Sequence, residues 1–157
     1  MRLIIFILLF SSVLQGQNYL SYVKGNWKAY SLTGGLILVA GASDGLNQTL
    51  DFHYWKFKDR FPKANNQFWN PLQSWTNKYK NWPDDKRAKF WGAKTIFVGV
   101  TDGYHFTRFI TNTAMIAAGT ANFDGAKKWH WYIYDFVILS MFKSAGFNLV
   151  YTFFFKT

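Results

Sequence analysis

The stretch GVTDGYHFTRFITN, Gly99 to Asn112, decides how this chain is read. It lies inside a long apolar run from Ala93 to Ala121, yet carries Asp102, His105 and Arg108 within seven positions. Ionisable groups in an apolar setting must be paired, solvated in a cavity or functional, because isolated charges are costly there. Upstream, GASDGLNQTL, Gly41 to Leu50, follows the same pattern, Gly-x-Ser/Thr-Asp-Gly-x-x-x-Thr. Gly41 aligns with Gly99, Asp44 with Asp102, Gly45 with Gly103 and Thr49 with Thr107. The repetition predicts two related helices with polar faces at one level. Coincidence between two glycine-rich segments stays open beside an inverted repeat.

Working outward, two further apolar segments flank this one. Ala29 to Leu50 contains Gly34, Gly35 and Gly41, which a soluble helix would avoid and a membrane helix uses for close packing. Asp44, Asn47, Gln48 and Asp51 fall on one helical face of it. Trp129 to Phe155 opens with WHWYIYDF and closes with FFF. The turn Asn122-Phe123-Asp124-Gly125 separates the second and third segments and predicts that they pack as antiparallel neighbours.

Composition narrows the class. The 157 residues suit one domain, and 50% hydrophobic with 22% aromatic content excludes a disordered chain. The net charge of +10 comes without a recognition helix, zinc-finger or RNP pattern, so anionic lipid headgroups fit it better than nucleic acid. With no cysteine there is neither a disulfide framework nor a thiolate site. Met1-Arg2 followed by LIIFILLFSSVL has the form of a secretory signal, residues 1–17, or of an uncleaved signal anchor. Residues 18–157 would form a single helical domain. Within it, the segment 51–90 holds all three prolines and Lys56, Lys58, Arg60, Lys63, Lys78, Lys80, Lys86, Arg87 and Lys89. It predicts a loop with short helical pieces on the cytoplasmic side.

The expected fold is therefore all-α: a small helical membrane bundle with three spans after an N-terminal signal or anchor, placed in a bacterial inner membrane. The alternative is an exported soluble α-helical domain. Continuous apolar runs disfavour a β-barrel. The expected site is one buried polar cluster of Asp44, Asp102, His105, Arg108 and Asn112. Asp102 and His105, at i and i+3, form half of a helical site for a divalent transition metal. Against this stands a packing role, an ion pair of Arg108 with Asp102 or Asp44. His53 and His130 are expected at the interface. Asp135 enters an apolar helix, and Lys143 could balance its charge.

The sequence carries no P-loop, GxGxxG, HExxH, GxSxG or EF-hand pattern. The layout with DGLNQTLDFHY, PKANNQFWNP, SWTNKYKN and DGYHFTR resembles a family of small bacterial and phage membrane proteins that begin with a signal-like segment. That resemblance implies the membrane architecture and no particular activity. Two functions follow as expectations. One is a binding or structural subunit of a membrane complex, with protein partners. The other is a metal-dependent membrane enzyme acting on a lipid-linked substrate.

Overall fold

A computed structural model describes residues 16–156. The expected signal segment falls almost wholly outside the described residues. The protein is mostly helical, as its long continuous apolar runs predict. A helix over residues 16–25 (α1) leads into α2, Trp27–Phe52. Short helices α3 (Tyr54–Arg60), α4 (Asn66–Trp69) and α5 (Pro71–Ser74) follow. A small antiparallel hairpin pairs β1 (Tyr79–Asn81) with β2 (Asp85–Ala88). Two long helices complete the chain: α6 (Gly103–Asn122) and α7 (Trp131–Asn148), the latter continued by π-helical turns over Leu149–Lys156.

Helix α2 is the axis. Its Ala40, Ser43 and Asn47 face α6: the Ser43 hydroxyl donates to the Thr107 carbonyl (2.8 Å), and the Asn47 amide donates to Tyr104 O and Thr107 Oγ1 (2.8 Å each). The Thr111 hydroxyl reaches Ala40 O. A second stripe, Leu38, Gly41 and Gly45, faces α7. Both α6 and α7 pack along α2 and hardly touch each other, so the expected antiparallel pairing of the second and third segments does not form. Both flanking helices instead use the small and polar stripes of α2, which offer closer approach and hydrogen bonds.

The contact with α7 is made by glycine. A Cβ on Gly41 would stand 2.1 Å from the Lys143 carbonyl oxygen, and one on Gly146 2.2 Å from that of Leu38. Gly45 has the same relation to Phe147 O, at 2.7 Å. The pattern Gly41-x-x-x-Gly45 facing Gly146 thus lets two backbones meet, the packing device of membrane helices. Beside it, Lys143 donates to Asp44 across the interface at 2.7 Å. Lys143 therefore balances Asp44 and not Asp135. Gly45 and Gly103, aligned by the motif, do not meet: Gly45 packs on the Phe147 carbonyl and Gly103 against the Trp69 ring.

The second apolar run is not helical from Ala93. Residues 93–102 are turns with one 3-10 turn at Val98–Val100, and Gly92 sits at φ +78°. Asp102 then starts α6 as its N-cap, accepting the His105 N–H at 2.8 Å. The two Asp-Gly motifs are consequently unlike in backbone: Asp44-Gly45 lies inside α2, while Asp102-Gly103 begins α6. One feature is shared. Thr49 and Thr107 each return a hydroxyl to the carbonyl four residues back, Gly45 and Gly103.

Gly41→Leu and Gly146→Leu should each force α2 and α7 apart and lower the unfolding midpoint by at least several degrees. Gly35→Leu, where an added Cβ meets nothing within 4 Å, should leave it nearly unchanged. Equal effects at all three would show that the helices do not meet through these glycines.

Candidate functional site

The most elaborate polar site lies where α1, α2, α6 and α7 meet. Asp135, on the second turn of α7, is buried. Its Oδ1 accepts the hydroxyls of Tyr19 (2.7 Å) and Tyr30 (3.0 Å). Its Oδ2 accepts Asn122 Nδ2 (3.0 Å) and Lys127 Nζ (2.8 Å). Lys127 and Asp135 form an ion pair with side chains only 1% and 2% exposed. The lysine donates its other two protons to Asn122 O and Oδ1, both at 2.8 Å. An ammonium has three N–H donors, so each one is used.

Aromatic rings complete the enclosure. Lys127 Nζ lies 4.6 Å from the Tyr132 ring centre, 5.1 Å from Tyr30 and 5.9 Å from Tyr22, distances that fit cation–π attraction. The Tyr22 hydroxyl donates to Asp124, and Tyr132 Oη both accepts the Asp124 N–H and donates to its carbonyl. Burial, followed by the Asp124 carboxylate, pushes the Tyr22 hydroxyl up to about 12. The same hydroxyl, with the Ala126 N–H, holds Asp124 below the usual carboxylate range. This network ties the connection between α6 and α7 to α1 and α2. Each tyrosine hydroxyl and each lysine proton in it has an acceptor, so the network acts as a structural lock.

The site expected from sequence is taken apart by the fold. Asp102 and His105 do meet. Asp102 is buried, and His105 Nδ1 lies 2.8 Å from its Oδ2 and 2.9 Å from Oδ1. Oδ2 also accepts the Thr101 hydroxyl at 3.0 Å. These bonds engage the carboxylate in capping α6, so Asp102 stands at the helix start, not on a helix face. Among the described residues no group of three His, Cys, Asp or Glu side chains is placed to hold a metal ion. The predicted metal pair of Asp102 and His105 therefore has no third protein ligand there. Asp44 bonds to Lys143, the exposed Arg108 donates to the Tyr104 hydroxyl at 2.7 Å, and Asn112 is exposed. The five residues form no single buried cluster. Of the histidines, His53 lies edge-on to Tyr151, and His130 stands between Trp129 and Trp131.

Sequence reasoning noticed Asp135 but missed its partners. Tyr19, Tyr30, Asn122 and Lys127 come from four separate places in the chain, and no spacing rule links them. The available signal was Lys127 itself, a lysine in the turn between two apolar segments, eight residues before Asp135.

Lys127→Met should cost about 3–5 kcal/mol of stability, because it leaves Asp135 buried and unpaired. The double variant Lys127→Met, Asp135→Leu should recover a large part of that loss in denaturant titrations. Additive losses would mean that the two charges do not act as a pair. Asp102→Ala should cost about 0.5–2 kcal/mol, the loss of a helix cap, with Asp102→Ser restoring most of it. A loss as large as that of Lys127→Met would assign Asp102 a larger role.

Comparison with models of known families, with curated proteins and with solved structures found no match. The functional reading therefore rests on this chain's own residues.

Proposed function

We propose that this chain is a small multi-pass protein of a bacterial inner membrane that acts as a binding or structural subunit of a membrane complex. The observation that carries this reading is the outer surface of the long helices. Among the described residues one helical stretch, Trp131–Phe155, is long and apolar enough to cross a membrane, and few of its residues are buried by the rest of the chain. Ile133, Phe136, Val137 and Met141 point outward from it, with Phe136 72% exposed. Large exposed apolar faces need lipid or protein to cover them.

The polar groups support the same placement. The capping cluster at Asp102 and the lock at Asn122, Lys127 and Asp135 stand at opposite ends of the 20-residue α6. At 1.5 Å per residue the separation is about 30 Å, the thickness of a bilayer hydrocarbon core. Between them, the Asp44–Lys143 ion pair has the form that charges take at membrane depth, paired with each other across two helices. The polar, lysine-rich segment 51–90 then lies beyond one end of the layer, in the cytoplasm beside anionic headgroups.

Helix α6 is the reason for reading a subunit and not an isolated bundle. Its outward face mixes Phe109 and Ile116 with the exposed Arg108 and Asn112. An amide at mid-helix facing lipid would lack hydrogen-bond partners, and a neighbouring helix would supply them. The catalytic alternative has no comparable support, since the Asp102 carboxylate is engaged in its cap.

The protein should stay in the pellet after carbonate extraction and migrate on native gels, in mild detergent, as a species larger than its monomer. Asn112→Leu should reduce that species while leaving membrane insertion intact. Full recovery in the soluble fraction would overturn the membrane reading, and a monomer before substitution would overturn the subunit.

A further inference from the structure

Because α6 and α7 pack along different faces of α2, one face between them stays uncovered. It forms an open groove of about 1090 Å³, just above the usual range for small-molecule sites. Its floor is a single stripe of α2: Val39, Ala42, Ser43 and Leu46, spaced i, i+3, i+4 and i+7. Ser43 exposes no unpaired hydroxyl there, because that group donates to Thr107 O. Ile110 of α6 forms one wall and Phe153 of the C-terminal turns the other. Phe57 and Trp69, tilted against each other with ring centres 5.3 Å apart, close the end nearest α3.

The groove is apolar along its length and basic at that closed end. Arg60 and Lys63 line it there, and both are exposed. The Arg60 guanidinium lies 5.1 Å from the centre of the Phe154 ring, which also lines the groove. Among the described residues no carboxylate forms an ion pair with either side chain. The four-residue stripe spans about 10 Å along α2 at 1.5 Å per residue, and the aromatic end extends it. An elongated apolar channel ending in two cations matches a molecule with a hydrocarbon tail and an anionic head.

We infer that this groove holds one acyl chain of an anionic membrane phospholipid, with the phosphate held by Arg60 and Lys63. The depth agrees: α2 ends at Phe52, and Arg60 and Lys63 follow at the cytoplasmic surface, where such headgroups lie. A guanidinium suits phosphate because its planar fork donates two parallel hydrogen bonds. The source of the lipid rests on the membrane reading above, which carbonate extraction tests separately.

The test is native mass spectrometry of the full chain in mild detergent, titrated with dioleoylphosphatidylglycerol or dioleoylphosphatidylcholine, lipids with the same tails and different heads. One phosphatidylglycerol should be retained at roughly tenfold lower concentration than phosphatidylcholine, a factor equal to 1.4 kcal/mol. Arg60→Gln with Lys63→Gln, both on the surface, should abolish the preference while weak binding of both lipids persists. Val39→Trp or Ile110→Trp should fill the groove and reduce retention of both, with the unfolding midpoint confirming that the variant is folded. Equal retention of the two lipids by the unsubstituted protein, or undiminished retention by both folded Trp variants, would overturn the proposal. If extraction places the protein outside the membrane while the lipid preference holds, the groove stands and only the lipid's source is wrong.

Discussion

The structure depends on one close contact, the backbone-to-backbone approach of α2 and α7 through Gly41, Gly45 and Gly146. At that distance no Cβ fits on either side, so the helices meet by van der Waals contact along their main chains. In lipid this matters more than in water, because moving apolar side chains from lipid to a protein interface yields little net gain. The Asp44–Lys143 pair beside the crossing adds direction and register that smooth backbones lack. The same contact carries the C-terminal turns onto the aromatic cap, where Phe155 packs with Leu50 and Phe57.

The second helix pair works on a different principle. Helix α6 docks on α2 through hydroxyls and an amide, at Ser43, Asn47, Thr107 and Thr111. Each bond satisfies groups that would be expensive to leave bare in an apolar medium. Two interfaces of unlike chemistry on one helix explain why α6 and α7 do not need each other, and why a face of α2 is left open between them. The groove is thus a consequence of how the bundle is assembled.

Polar chemistry is concentrated at the two ends. One end is closed by the Asp102 cap, and the other by the Lys127–Asp135 lock with its tyrosines. A buried ion pair gains little over well-packed apolar residues, but it is costly to break, so it specifies one arrangement. Here it selects how α1 and the connection between α6 and α7 sit against the ends of α2 and α7. That role accounts for a density of tyrosine that composition alone cannot assign, because each hydroxyl in the lock has a named acceptor.

The residues by themselves determined the helical class, the glycine-lined segment that became α2, the turn at Asn122 to Gly125 and the short broken helices of the basic segment. These are local matters: apolar runs, turn chemistry and glycine content act along short stretches of chain and survive any packing. Tertiary structure alone decided the partners. Spacing placed Asp102 and His105 on one helical face. The fold made Asp102 the start of that helix, because extended backbone at the residue before Gly103 lets a carboxylate cap the free N–H groups. The shared Asp-Gly motif implied one cluster, yet Asp44 turned to Lys143 and Asp102 to His105, since a side chain's direction around a helix is set by what packs there. Lys127 and Asp135 lie eight residues apart, but the tyrosines that donate to Asp135 lie more than a hundred positions away. Those meet only once three helices and a turn have closed around them.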